Sequence, residues 1–198
     1  MFKTMGKQLA RPSGILGRIT GKLMDHRNYK AYEEIMKDLE LTNGDRLFEI
    51  GYGTGMGLGL ILKKPIDCKI GGIDYSEVMY RTAMKRNEDY IKANRLILNY
   101  GDFINSEVDN GAYNKVYCVN VIYFWEDLLS VFCKIHSILP DQGRFCIYMT
   151  PAEYFEKMKF AENFKKYSID IVKAKLTEAG FSSVEHRKTT DYYIKAIK

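Results

Sequence analysis

Three short segments combine residue types and spacings from which a ligand pocket can be built. The first is Phe48-Glu49-Ile50-Gly51-Tyr52-Gly53-Thr54-Gly55-Met56-Gly57. Glycines at 51, 53 and 55 let the backbone turn sharply and approach a ligand closely, with the amides of the next helix behind it. The dinucleotide fingerprint G-x-G-x-x-G fails in every register, because its third glycine would fall on Met56, Leu58, Leu60 or Leu62. The phosphate loop G-x-x-x-x-G-K-[ST] is equally missing from this stretch. The second segment, Gly72-Ile73-Asp74-Tyr75-Ser76, sets a carboxylate 23 residues after Gly51. An acid there can accept hydrogen bonds from both hydroxyls of a ribose; Asp74 or Ser76 could equally cap a helix. The third, Tyr100-Gly101-Asp102-Phe103, offers a carboxylate for an exocyclic amine and an aromatic face for a base, or merely a turn. In the order glycine turn, ribose acid, base acid, the three describe an adenosine-shaped pocket with no phosphate grip.

The elements that must position these residues follow from hydrophobic periodicity. Residues 29–40 carry Tyr32, Ile35, Met36 and Leu39 at helical spacing, and Asn43-Gly44 breaks the chain after them. Strands are expected at 46–50, 69–73, 96–99, 115–121 and 144–149, with helices at 58–63, 76–93, 125–139 and 168–179, and two more strands in 181–198. Strand–helix alternation with apolar strands predicts a parallel sheet covered on both faces. The turn near 189–191 is too short for a crossover, so the last two strands must pair antiparallel. The expected architecture is α/β with an antiparallel strand at the C-terminus. In such a sheet ligands bind beyond the carboxyl ends of the strands, and all three segments fall on that edge.

The chain from about residue 43 onward resembles the class I S-adenosylmethionine-dependent methyltransferases. Glu49-Ile50-Gly51-Tyr52-Gly53-Thr54-Gly55 is similar to that family's first motif, Asp74 stands where its ribose acid stands, and Met79 matches a residue often beside the adenine. Asp102 and Phe103 resemble the residues at the adenine amine, and Asn120 matches the end of the fourth strand, beside the methyl-transfer site. The resemblance implies a Rossmann-like, mostly parallel seven-stranded sheet and S-adenosyl-L-methionine as cofactor. It implies Glu49, Gly51, Tyr52, Gly53, Gly55, Asp74, Tyr75, Met79, Asp102, Phe103 and Asn120 as the cofactor-binding residues. The fourth strand lacks the N/D-P-P-Y/F motif of many amino-methylating branches, and no acid–acid–Asn metal cluster is evident, so no metal is expected.

Displacement at a sulfonium needs alignment and exclusion of water more than proton transfer, so no catalytic residue is obligatory. Tyr29, Tyr123, Trp125 and Tyr154 are candidates to wall a substrate pocket, although aromatic residues more often pack in cores. His26 is the imidazole best placed by sequence.

Of the 198 residues 30 are Lys or Arg and 25 Asp or Glu, a net charge of +5. Lys3, Lys7, Arg11, Arg18 and Lys22 account for all of it, with no acid before Asp25. The expected organisation is a basic arm or lid over residues 1–28 and a methyltransferase domain over 29–198. Gly6, Pro12, Gly14, Gly17 and Gly21 make a long helix in the arm implausible. A small-molecule acceptor is expected. An RNA held by the arm, a lipid surface or a non-catalytic cofactor binder are the alternatives. Cys68, Cys118, Cys133 and Cys146 lie far apart in apolar settings and read as buried, reduced thiols of a cytoplasmic protein. No apolar run reaches the ~20 residues of a spanning helix.

Overall fold

The computed structural model describes residues 14–198 apart from 157, 159, 160 and 163. The cations Lys3, Lys7 and Arg11 of the arm lie outside the described residues. The helices are α1 (Gly14–Leu39), α2 (Met56–Leu62), α3 (Glu77–Arg86), α4 (Glu88–Lys92), α5 (Leu128–Ile138), α6 (Ala152–Glu156) and α7 (Ile169–Glu178). The strands are β1 (Asp45–Ile50), β2 (Cys68–Asp74), β3 (Leu96–Tyr100), β4 (Lys115–Val119), β5 (Arg144–Met149), β6 (Ser183–Lys188) and β7 (Tyr192–Ile197).

The seven strands form one sheet in the order β3-β2-β1-β4-β5-β7-β6. The pairs among β1 to β5 are parallel, whereas β7 runs antiparallel to both β5 and β6. Side chains alternate between two cores, as a period of two requires. Leu47 and Tyr117 pack beneath α1, α2 and α3, while their chain neighbours Phe48, Val116 and Cys118 pack beneath α5 and α7. The chain turns back across β1 to begin β4, so the strand order reverses between β1 and β4. At such a switch point the loops leaving the two strands part and open a crevice.

Two expectations need correction. Helix α1 starts at Gly14, not near residue 29, and runs through Gly17 and Gly21. Helix extension is cooperative, and the later half of α1 is anchored by the fully buried Ile35 and Leu39. Interior glycines at about 1 kcal/mol each slow such a helix without ending it. Cys133, on α5, is exposed rather than buried, while Cys68, Cys118 and Cys146 are buried and free. Among the described residues no helix is long and apolar enough to cross a membrane.

Candidate active site

A cavity of about 370 Å³ opens at the carboxyl ends of β1 to β4. Its floor is the turn after β1, where Gly51, Gly53 and Gly55 have φ of 75°, 55° and 74°. The three glycines answer different needs. A Cβ on Gly51 would meet Val121 Cγ2 at 2.6 Å, and one on Gly55 would meet Asn87 Nδ2 at 2.6 Å, so both are fixed by close packing. A Cβ on Gly53 would meet nothing within 4 Å, and Gly53 lines the cavity. Tyr52 also lines it, with its ring buried and its hydroxyl donating to the Asn99 carbonyl at 2.8 Å.

Asp74 ends β2 beside this turn. Its Oδ2 accepts the Gly53 N–H and its Oδ1 the Ser76 N–H, both at 2.8 Å. The cap of α3 is Ser76, whose Oγ accepts the Met79 N–H. Asp74 is therefore an anchor for the turn, with acceptor capacity left over. Burial pushes its carboxyl up to about 6 against those two hydrogen bonds.

After β3, Asp102 caps a short 3-10 turn, Phe103–Asn105, by accepting from the Ile104 N–H and from Asn105 Nδ2. Lys134 of α5 holds the same turn, donating to the carbonyls of Phe103, Ile104 and Ser106. After β4, Asn120 has a left-handed backbone with φ 57°. Its Oδ1 accepts from the Tyr123 hydroxyl at 3.0 Å and from the Thr150 N–H and Oγ1 at 3.3 and 3.2 Å.

Helix α1 closes the cavity from above. Asp25 accepts from the Thr54 hydroxyl and pairs with Arg86 of α3 at 2.8 Å. Asn28 Oδ1 accepts from Asn120 Nδ2 at 3.0 Å. The Tyr32 hydroxyl donates to Glu49 Oε1 at 2.6 Å, and a Cβ on Gly57 would collide with the Tyr32 ring at 2.0 Å. Glycine at 57 thus lets the helix sit down on the turn.

Of the residues expected to bind a cofactor, Gly51, Tyr52, Gly53, Asp74, Tyr75, Met79, Asp102, Phe103 and Asn120 line one cavity. Glu49 and Gly55 stand behind it. Glu49 is fully buried between the hydroxyls of Tyr32 and Tyr117, and burial pushes its carboxyl up to about 7. Trp125 lines the cavity. Tyr123 is buried beside it in the Asn120 and Thr150 network, and Tyr29 and Tyr154 are exposed and outside the lining. His26 is exposed and does not line it. Sequence reasoning missed Met24, Asp25, Asn28 and Tyr32, which also line it. Their signal is the spacing 25, 28, 32, 35, 39, which continues the apolar stripe of α1 toward the N-terminus.

A Rossmann-like sheet in this order opens its crevice at the switch point, and here the glycine turn and two acids on successive strand ends line it. The family model "Methyltransferase domain" matches residues 48–145. The uncharacterized methyltransferase YdaC of Bacillus subtilis (strain 168) is 28% identical over 84% of this chain and 88% of its own length. Among solved structures, a chain of a Haloferax volcanii complex that contains the Trm112 methyltransferase activator superposes with a TM-score of 0.77. It is 16% identical and covers 90% of this chain and 93% of that one. Phosphoethanolamine N-methyltransferase 2 of Haemonchus contortus has been solved with S-adenosyl-L-methionine, and also with phosphomonomethylethanolamine and S-adenosylhomocysteine. It gives a TM-score of 0.76 at 16% identity, over 86% of this chain and 52% of that one. The chain spans about half of that enzyme. The chain carries a methyltransferase domain over residues 48–145 and is similar along most of its length to methyltransferases.

Proposed function

We propose that the cavity binds S-adenosyl-L-methionine and that the enzyme transfers its methyl group to a small molecule. The observation that carries this reading is the convergence of Gly53, Asp74, Asp102 and Phe103 on one cavity. Gly53 would present bare backbone to a ligand, and Asp74 would accept the ribose hydroxyls. Asp102 would take the adenine amine with Phe103 beside the ring. Three carboxylates, Asp25, Asp74 and Asp102, line the cavity, a field that complements a sulfonium cation. The bound cofactor would supply an electrophilic methyl group whose leaving sulfide needs no proton.

The chain's own residues then have a limited task. Asp74 and the glycine turn hold one partner in place, and α1 with Phe124 and Trp125 walls off water. An acceptor with a free lone pair needs no base in such a site. The structurally similar Haemonchus enzyme has been solved with phosphomonomethylethanolamine, a small phosphorylated amine, which supports a small acceptor.

Calorimetry with S-adenosylmethionine and S-adenosylhomocysteine tests the cofactor assignment. Asp74→Ala should weaken both by about 1.5–3 kcal/mol through loss of a charged acceptor. Binding that is undetectable in the parent protein, or unchanged in the variant, rules the assignment out. Incubation with methyl-labelled cofactor and fractionated metabolite, lipid and RNA pools tests the acceptor class. Label found only in RNA would overturn the small-molecule reading.

A further inference from the structure

Asn28 occupies a bracketed position on α1. One turn before it Asp25 is held by Thr54, and one turn after it Tyr32 is held to Glu49. The residue between those ties therefore lies over the segment from Gly51 to Gly53, and Asn28 lines the cavity there.

The direction of its amide is set from across the site. The Thr150 N–H is shared between the Tyr123 hydroxyl and Asn120 Oδ1, and the same oxygen accepts from the Tyr123 and Thr150 hydroxyls. The Asn120 oxygen is thereby committed, and its Nδ2 turns toward α1 to donate to Asn28 Oδ1. The oxygen of Asn28 is in turn the acceptor, so its Nδ2 is a donor with no hydrogen-bond partner among the described residues. That donor faces the open cavity rather than being sealed in the interior, so a ligand oxygen can take it over from solvent.

The order of the strands says which oxygen that would be. Across the sheet edge the cavity residues run Asp102 after β3, Asp74 after β2, the glycine turn after β1, and Asn120 after β4. A ligand with its base at Asp102 and its ribose at Asp74 extends its third portion toward Asn120 and Asn28. In S-adenosylmethionine that portion is an α-amino acid. We propose that Asn28 Nδ2 is a binding group for the cofactor's α-carboxylate, and so selects cofactors that keep the intact amino-acid tail. This assignment rests on the cofactor reading above.

Two probes separate the assignment from that reading: S-adenosylhomocysteine and its decarboxylated analogue, each titrated calorimetrically into the full-length protein at pH 7.5. Asn28→Asp keeps an oxygen for Asn120 and replaces only the outward donor with an acceptor. It should weaken S-adenosylhomocysteine by roughly 10- to 100-fold, the scale of a charge-assisted hydrogen bond, and leave the decarboxylated analogue within about twofold. Asn28→Leu should show the same selectivity with a smaller loss, about tenfold. Unchanged affinity for S-adenosylhomocysteine, or an equal loss for both ligands, overturns the assignment. A parent protein that binds neither ligand overturns the cofactor reading itself.

Discussion

Strand β1 carries a buried acid near each end, and the two are treated in opposite ways. Asp45, at the start, is 3% exposed and meets Lys115 Nζ at 2.5 Å, the Thr42 N–H at 2.7 Å and Asn114 Nδ2 at 2.9 Å. Burial alone would raise its pKa, but Lys115 and the two hydrogen bonds outweigh it and hold the carboxyl below the usual range. Glu49, four residues along and fully buried, has two tyrosine hydroxyls but, among the described residues, no cation paired with it. There burial wins and its pKa rises to about 7. The amino end of the sheet is a satisfied ionic lock. The carboxyl end, next to the cavity, holds two acids that resist ionisation, Glu49 and Asp74, on neighbouring strands. The ion pair lies away from the site, and the site keeps groups whose charge a ligand can change.

The largest expected effect breaks the lock. Lys115→Met leaves Asp45 buried with no ammonium, and removing one partner of such a pair typically costs about 3–5 kcal/mol. Urea denaturation at pH 7 should show a loss in that range, shrinking in acid as Asp45 takes a proton. A loss under about 1 kcal/mol would mean that Lys115 is dispensable and that the two ends do not differ as described.

The second effect concerns Glu49 and has the opposite sign of pH dependence. Its folded pKa lies above its unfolded one, so the native state binds more protons between about pH 4.5 and 7. Stability from this residue is present below pH 4.5 and declines as pH rises to about 7, by about 3 kcal/mol at most. Glu49→Gln keeps groups that can bond both tyrosines and cannot ionise. Subtracting its stability profile from that of the parent should isolate this slope. A difference that is flat from pH 5 to 8 would place the Glu49 carboxyl at an ordinary pKa and remove the contrast with Asp45.

Asp74 should show the same chemistry through ligand affinity. Ribose hydroxyls donate, so binding favours the ionised carboxylate, while burial raises its pKa to about 6 in the free protein. Affinity for S-adenosylhomocysteine should be level above pH 7 and fall about tenfold per pH unit below 6. Affinity that does not change between pH 7 and pH 5 would mean that Asp74 does not carry ribose binding.

The legible and illegible parts of this molecule divide along similar lines. The glycine turn, Asp74 and Asp102 could be read because each sits at a strand end whose place is set by local pattern, and a parallel sheet brings those ends together. The partners of Glu49 lie 17 and 68 positions away, and no local pattern announces them. Asp25 and Asn28 were hidden for a different reason. Their helix contains residues that end isolated helices, and it extends back past Gly21 because Tyr32, Ile35 and Leu39 dock it while Asp25 and Asn28 tie it to Thr54 and Asn120. The expectation for Cys133 failed because an apolar neighbourhood in sequence is not a face. On α5 the buried positions are 128, 131, 132, 135 and 138, and 133 falls off that stripe.

The smallest effect distinguishes the two hydroxyls on Glu49. Tyr117 lies on β4 within the sheet and does not line the cavity, whereas Tyr32 lies on α1 and does. Both donate to the same carboxyl group, at 2.9 and 2.6 Å. Tyr117→Phe removes one of these bonds and leaves α1 seated. It should cost about 0.5–1.5 kcal/mol at pH 5, where Glu49 is neutral, and about 1.5–3 kcal/mol at pH 8, where the bond lost is to a carboxylate. Its affinity for S-adenosylhomocysteine at pH 8 should match the parent. Tyr32→Phe should cost a similar amount but also loosen the helix that carries Asp25 and Asn28, and so weaken ligand binding severalfold. If the two variants lose affinity equally, Glu49 reaches the site through β1 and not through α1. If only Tyr32→Phe does, the helix is the element through which this buried acid supports the cavity.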